Sequence, residues 1–146
     1  MIRFDRSQYN ALRTFLSASY VHDAQIEKFN YDHDVGALYV YATNHFYRRN
    51  YRFSFLSLKS ILFVKNHQFG SYETINSLTV EDNTTLTESP IYIADNQHSQ
   101  YLYLLFQLIS GDEIHIVSRE VIIEEEKKES GSGDGFHVQK GGTGDG

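Results

Sequence analysis

Ala37-Leu38-Tyr39-Val40-Tyr41-Ala42-Thr43, followed by Tyr51-Arg52-Phe53-Ser54-Phe55-Leu56, decides the fold class of this chain. Both stretches are built from aromatic and β-branched residues spaced by two. In a pleated strand successive side chains point to opposite faces, so this spacing sends one set inward and the other out. Ser60-Ile61-Leu62-Phe63-Val64 reads as a further strand. Upstream, Asp32-His33-Asp34-Val35-Gly36 has the composition of a turn, joining a first strand that begins near Ala24 to the one at Ala37. Downstream, Thr74 to Val80 and Ile91 to Ala94 read as shorter strands separated by the polar Glu81-Asp82-Asn83-Thr84-Thr85. The single proline, Pro90, opens the second of these, where a missing amide donor is tolerated.

Tyr101 to Ile123 carries the best hairpin signal. Gly111-Asp112 suits a two-residue type II′ turn, which opposes Ile109 to Ile114, Leu108 to His115 and Phe106 to Val117. Both faces near that turn are apolar, so this hairpin is expected at the centre of the sheet. Ahead of all the strands, Asp5-Arg6-Ser7-Gln8 has the form of a capping box, with Phe4 and Tyr9 placed as a hydrophobic staple. Tyr9, Leu12, Phe15 and Leu16 follow at helical spacing, which predicts a helix over 6–18 that ends near Ser17 and Ser19. The expected class is α+β, mostly antiparallel β. Its N-terminal helix should pack on a twisted antiparallel sheet or small sandwich.

At 146 residues the chain fits one domain, long enough to bury about two-thirds of its extended surface. Eleven Tyr and ten Phe, with no Trp, leave much of the packing to large rings. The absence of cysteine excludes a disulfide framework, a thiolate metal site and a Cys nucleophile. Met1 to Ser7 has no apolar core of the kind a secretory signal needs. The longest apolar run, Tyr101 to Ile109, is too short to span a bilayer as a helix. A cytoplasmic protein is the expectation. Three glycines precede residue 130, whereas seven fall in 131–146. The domain is therefore expected over 1–126, with 127–146 a flexible Gly-rich tail whose composition buries too little apolar surface to order itself.

Charge is distributed in blocks. Residues 35–65 hold five basic side chains (Arg48, Arg49, Arg52, Lys59, Lys65) and no acidic one. Residues 66–118 hold seven acidic side chains and no Lys or Arg, within a chain of net charge −6. Such blocks either neutralise each other across a sheet or present patches that steer a charged partner.

The sequence offers little chemistry in a recognisable pattern. Seven histidines (22, 33, 45, 67, 98, 115 and 137) show none of the spacings that set metal ligands on one face. His33 lies between two turn-forming aspartates, and His115 is expected as a hydrogen-bonded core histidine. No nucleophile elbow supports a Ser-His-Asp triad. No catalytic residue, metal or other cofactor is therefore expected.

The junction after the helix carries the one motif. Adjacent His and Asp also occur in helical metal-dependent phosphohydrolases, whose all-helical fold a strand-rich chain does not fit. At His22-Asp23 the structural reading is that Asp23 accepts backbone amides at the helix exit while His22 fills the sheet edge. The helix, then His22-Asp23-Ala24-Gln25-Ile26-Glu27, then alternating strands, resembles a group of small bacterial β-rich proteins that share an HDA-x-I motif after the first helix. Some of these are immunity proteins of polymorphic toxin systems. The resemblance implies an architecture and, for an immunity-type member, inhibition of a toxin.

Two functions from different classes follow as expectations. The first is a non-enzymatic protein-binding domain that meets a basic partner through an acidic, Tyr-rich surface. Tyr72, Glu73, Glu81, Asp82, Tyr92, Asp95 and Tyr101 are its candidates. The second is an anionic-ligand or nucleic-acid module built on His45-Phe46-Tyr47-Arg48-Arg49-Asn50-Tyr51-Arg52. There Arg48, Arg49 and Arg52 would meet phosphates while the aromatics stack. No membrane partner is expected, and a homodimer is compatible with either function.

Overall fold

The computed structural model describes residues 1–65, 74–81 and 100–127. Among these, one α-helix packs on a seven-stranded antiparallel sheet, as the α+β reading anticipated. The strands are β1 (Ile2–Asp5), β2 (Gln25–Asp32), β3 (Ala37–Asn44), β4 (Arg49–Val64), β5 (Ile75–Glu81), β6 (Leu102–Leu108) and β7 (Glu113–Lys127). The helix α1 runs Tyr9–Ala18 after a 3₁₀ turn at Arg6–Gln8. Strand order is β2-β3-β4-β7-β6-β5, with β1 also on β7.

The chain begins in a strand, which the sequence did not signal. Four residues are too few to display alternation. Phe4, expected as a staple residue, points inward from β1 opposite Val121 and packs its ring 5.9 Å from that of Phe15. The capping box forms as anticipated: Asp5 Oδ1 accepts from the Ser7 amide at 2.9 Å, and Gln8 Oε1 accepts from the Asp5 amide at 3.0 Å.

Two other local expectations are corrected. The segments 51–56 and 60–64 are one strand, because β4 runs through a bulge between Leu58 and Ser60 beside Ser57, whose φ is +51°. A bulge bends a strand without ending it. The second correction is the register of the 101–123 hairpin. Phe106 opposes Ile114, Leu105 opposes His115 and Tyr103 opposes Val117. The turn takes three residues rather than two. The Gly111 amide bonds Leu108 O at 2.9 Å, the Leu108 amide bonds Asp112 O at 2.9 Å, and Gly111 adopts φ +96°. Gly111 thus serves at the last loop position, where a turn followed by a left-handed residue closes a longer hairpin. The expectation that this hairpin is central and covered on both faces holds: Leu104, Phe106, Ile114 and Ile116 are buried on one face, and Tyr103, His115 and Val117 on the other.

β4 and β7, the two long strands, pair from Arg49↔Lys127 to Val64↔Glu113. Their length and the bulge let the sheet coil until its two end strands approach. Gln25 at the start of β2 bridges Thr74 beside β5, and Ile75 exchanges backbone bonds of 2.8 Å with Asp23 and Ala24. The concave face holds a single core in which Tyr51, Phe53 and Phe55 stack along β4. Phe106 meets Phe53 and Phe55 edge-on at 5.9 and 6.3 Å. α1 closes this core with Leu12 and Leu16, the buried members of its apolar stripe. No helix among the described residues is long and apolar enough to cross a membrane.

Candidate functional site: an aromatic knuckle at the helix–sheet junction

The exit of α1 meets the tip of the β3–β4 hairpin, and the two are held together by backbone-directed hydrogen bonds. Ser19 ends the helix with its amide and hydroxyl both on Leu16 O, at 3.3 and 2.8 Å. Asn44, at the end of β3, is 2 % exposed and satisfies three backbone groups. Its Nδ2 donates to Tyr20 O at 2.9 Å and His22 O at 3.2 Å, and its Oδ1 accepts from the Tyr47 amide at 3.0 Å. A buried amide with this many partners fixes the position of both segments.

Four side chains form a protruding cluster on that base. The Phe46 and Tyr47 rings meet edge-on at 4.8 Å, Tyr47 packs on Tyr20 at 4.5 Å, and the Arg49 guanidinium lies 4.9 Å above the Tyr20 ring. Arg49 Nη1 also donates to Tyr47 O at 2.9 Å. Phe46 is 82 % exposed and Tyr47 50 % exposed, although each is held by its neighbours. Ring–ring contacts of this kind are worth about 0.5–1.5 kcal/mol beyond area burial, and they narrow the rotamers of the rings that make them.

Beneath the knuckle runs a buried relay. The Tyr20 amide donates to Tyr51 Oη at 2.8 Å, and Tyr51 Oη donates to Glu125 Oε2 at 2.5 Å. Tyr51 is fully buried. Burial pushes its phenol well above the ordinary tyrosine range, and the hydrogen bond to Glu125 adds to this, so Tyr51 is a neutral donor. Glu125 also faces Arg49 Nε at 3.8 Å, which links the relay back to the cluster.

The basic block is answered by charges from an unexpected place. Arg49 faces Glu125, and Arg52 Nε lies 3.9 Å from Glu124 while its guanidinium sits over Tyr39. Both acids belong to β7, beyond the acid-only span of 66–118. Within that span, Asp112 pairs with Lys65 at 2.9 Å, Glu113 bonds His115 at 2.9 Å, and Glu81 accepts from Thr79 Oγ1 at 2.5 Å. Arg48 is exposed in the turn with φ +58°. The structure therefore brings Arg48 and Arg49 to the knuckle and sets Arg52 farther along the outer face.

Of the expected partner-binding residues, Glu81 ends β5, and Tyr101 lies between the cations of Lys59 and Arg119 at 5.9 and 5.2 Å. Tyr72, Glu73, Asp82, Tyr92 and Asp95 lie outside the described residues, as do the expected strand at 91–94 and residues 128–146 of the tail. The His22-Asp23 junction differs from its expected form. Both side chains are largely exposed, with Nδ1 and Oδ2 3.3 Å apart. The joining is done by the backbone: the Asp23 amide donates to Ile75 O, His22 O accepts from Asn44, and Asp23 adopts φ +71°. His115 is the buried, hydrogen-bonded histidine expected, between Tyr103 Oη at 2.6 Å and Glu113.

The segment 45–52 was expected to meet phosphates through its arginines and to stack its aromatics on bases, whereas Phe46 and Tyr47 pack with Tyr20 into a cluster of their own. Two adjacent large aromatics inside a hairpin turn, where polar residues are the rule, were the available signal. Asn44 and Glu125 carried no signal, since their roles depend on the pairing of distant strands. No family model matches the chain, and no curated protein or solved structure matches it either.

Proposed function

We propose that this chain is a non-catalytic binding domain that takes a basic protein partner onto the Phe46–Tyr47–Tyr20 knuckle. The observation that supports this reading is an exposed aromatic cluster: Phe46, 82 % exposed, meets Tyr47 edge-on, and Tyr47 packs on Tyr20. Clustered aromatic and arginine side chains supply the kind of central anchor on which protein interfaces concentrate their energy. A net charge of −6 favours a basic partner through encounter rate. The resemblance through His22, Asp23, Ala24 and Ile26 makes a toxin the first class of partner to test, with this chain as its immunity-type inhibitor. The anion-binding alternative draws less support, because Arg49 and Arg52 already face Glu125 and Glu124. Co-production with the products of adjacent coding sequences, followed by size-exclusion chromatography, tests the proposal. The expected result is a complex that Phe46→Ala with Tyr47→Ala weakens by roughly 100-fold or more while the melting temperature is unchanged. Absence of any complex, or one indifferent to both substitutions, would refute it.

A further inference from the structure

We draw no further inference here: the strongest candidate, the cleft of about 520 Å³ between α1 and β5 lined by Leu16, Val21, Leu78 and Val80 together with Arg13 and Glu81, carries nothing, because the chain segments that lead into and out of 74–81 lie outside the described residues and nothing in the structure shows what covers it.

Discussion

Replacing Tyr51 by Phe removes one oxygen from the middle of the relay under the knuckle, and its cost can be worked from the geometry. The ring stays, so the stack with Phe53 at 5.9 Å is kept and no cavity opens. Two groups lose a partner: the Tyr20 amide at 2.8 Å and the Glu125 carboxylate at 2.5 Å. A neutral hydrogen bond contributes about 0.5–1.5 kcal/mol and one to a charged group about 1.5–3 kcal/mol. The Glu125 side chain is 33 % exposed, so water recovers part of the second term. The expected loss at pH 7 is about 1–2 kcal/mol, or about 3–5 °C in melting temperature per kcal/mol for a domain of this size. The pH dependence separates this account from a generic packing loss. An unfolded tyrosine ionises near pH ~10, whereas burial and Glu125 keep the folded Tyr51 phenol protonated well above that. Above pH ~10 the unfolded state therefore binds fewer protons than the folded state, and stability falls by up to about 1.4 kcal/mol per pH unit. Tyr51→Phe lacks that slope. Wild type and variant, compared by urea denaturation from pH 7 to 11.5, should differ most at neutral pH and converge near pH ~11. Parallel curves across that range would refute the buried-donor assignment, as would a variant as stable as wild type at pH 7. Glu125→Gln keeps an acceptor and should cost less than Tyr51→Phe, with the double variant clearly non-additive.

Two further outcomes follow from the packing. Asn44→Ala leaves the Tyr20 and His22 carbonyls and the Tyr47 amide without their shared partner. The expected cost is about 1–3 kcal/mol by denaturation, with Phe46 and Tyr47 ring resonances moving toward motionally averaged values. Phe106→Ala empties the position between the Phe53 and Phe55 rings, at an expected cost of about 3–5 kcal/mol read from the urea midpoint.

What the sequence reveals here divides by the range of the interaction. The capping box at Asp5, the helical stripe through Leu12 and Leu16 and the Asp32–Gly36 turn are settled within a few residues, and each was legible. The turn, for example, is closed by Gly36 N on Asp32 O at 2.9 Å and by Asp34 N on the Asp32 carboxylate at 3.0 Å. β1 failed because four residues carry no period, and it is a strand only because β7 extends past β6 and offers it an edge. The hairpin register failed for a subtler reason. Gly111 was correctly seen as the residue that needs a positive φ, but both a two-residue and a three-residue turn place glycine at such a position. Alternation could not arbitrate, since Tyr101 to Val117 is apolar on both faces.

The charge blocks were legible as blocks, and Lys65 and Asp112 pair across them. Arg49 and Arg52 instead face acids of β7 that lie beyond both blocks, and the reason bears on function. Arg49 and Arg52 lie beside Glu125 and Glu124 because β7 is the neighbour of β4, a fact of strand order that no local pattern encodes. Cationic side chains on the outer face rest on tyrosine rings, Lys28 over Tyr41 at 5.6 Å and Arg52 over Tyr39 at 5.7 Å. The sheet thus answers much of its positive charge within the fold, while the chain as a whole remains at −6. Under the proposed function, an approaching partner meets a net negative field and, within it, an aromatic projection at which Arg49 is engaged by Glu125 and Arg48 is exposed. A field of that sign acts over a Debye length of about 8 Å at physiological ionic strength, so it governs the rate of encounter. The rings of Phe46 and Tyr47, which act only on contact, would govern how long the encounter lasts.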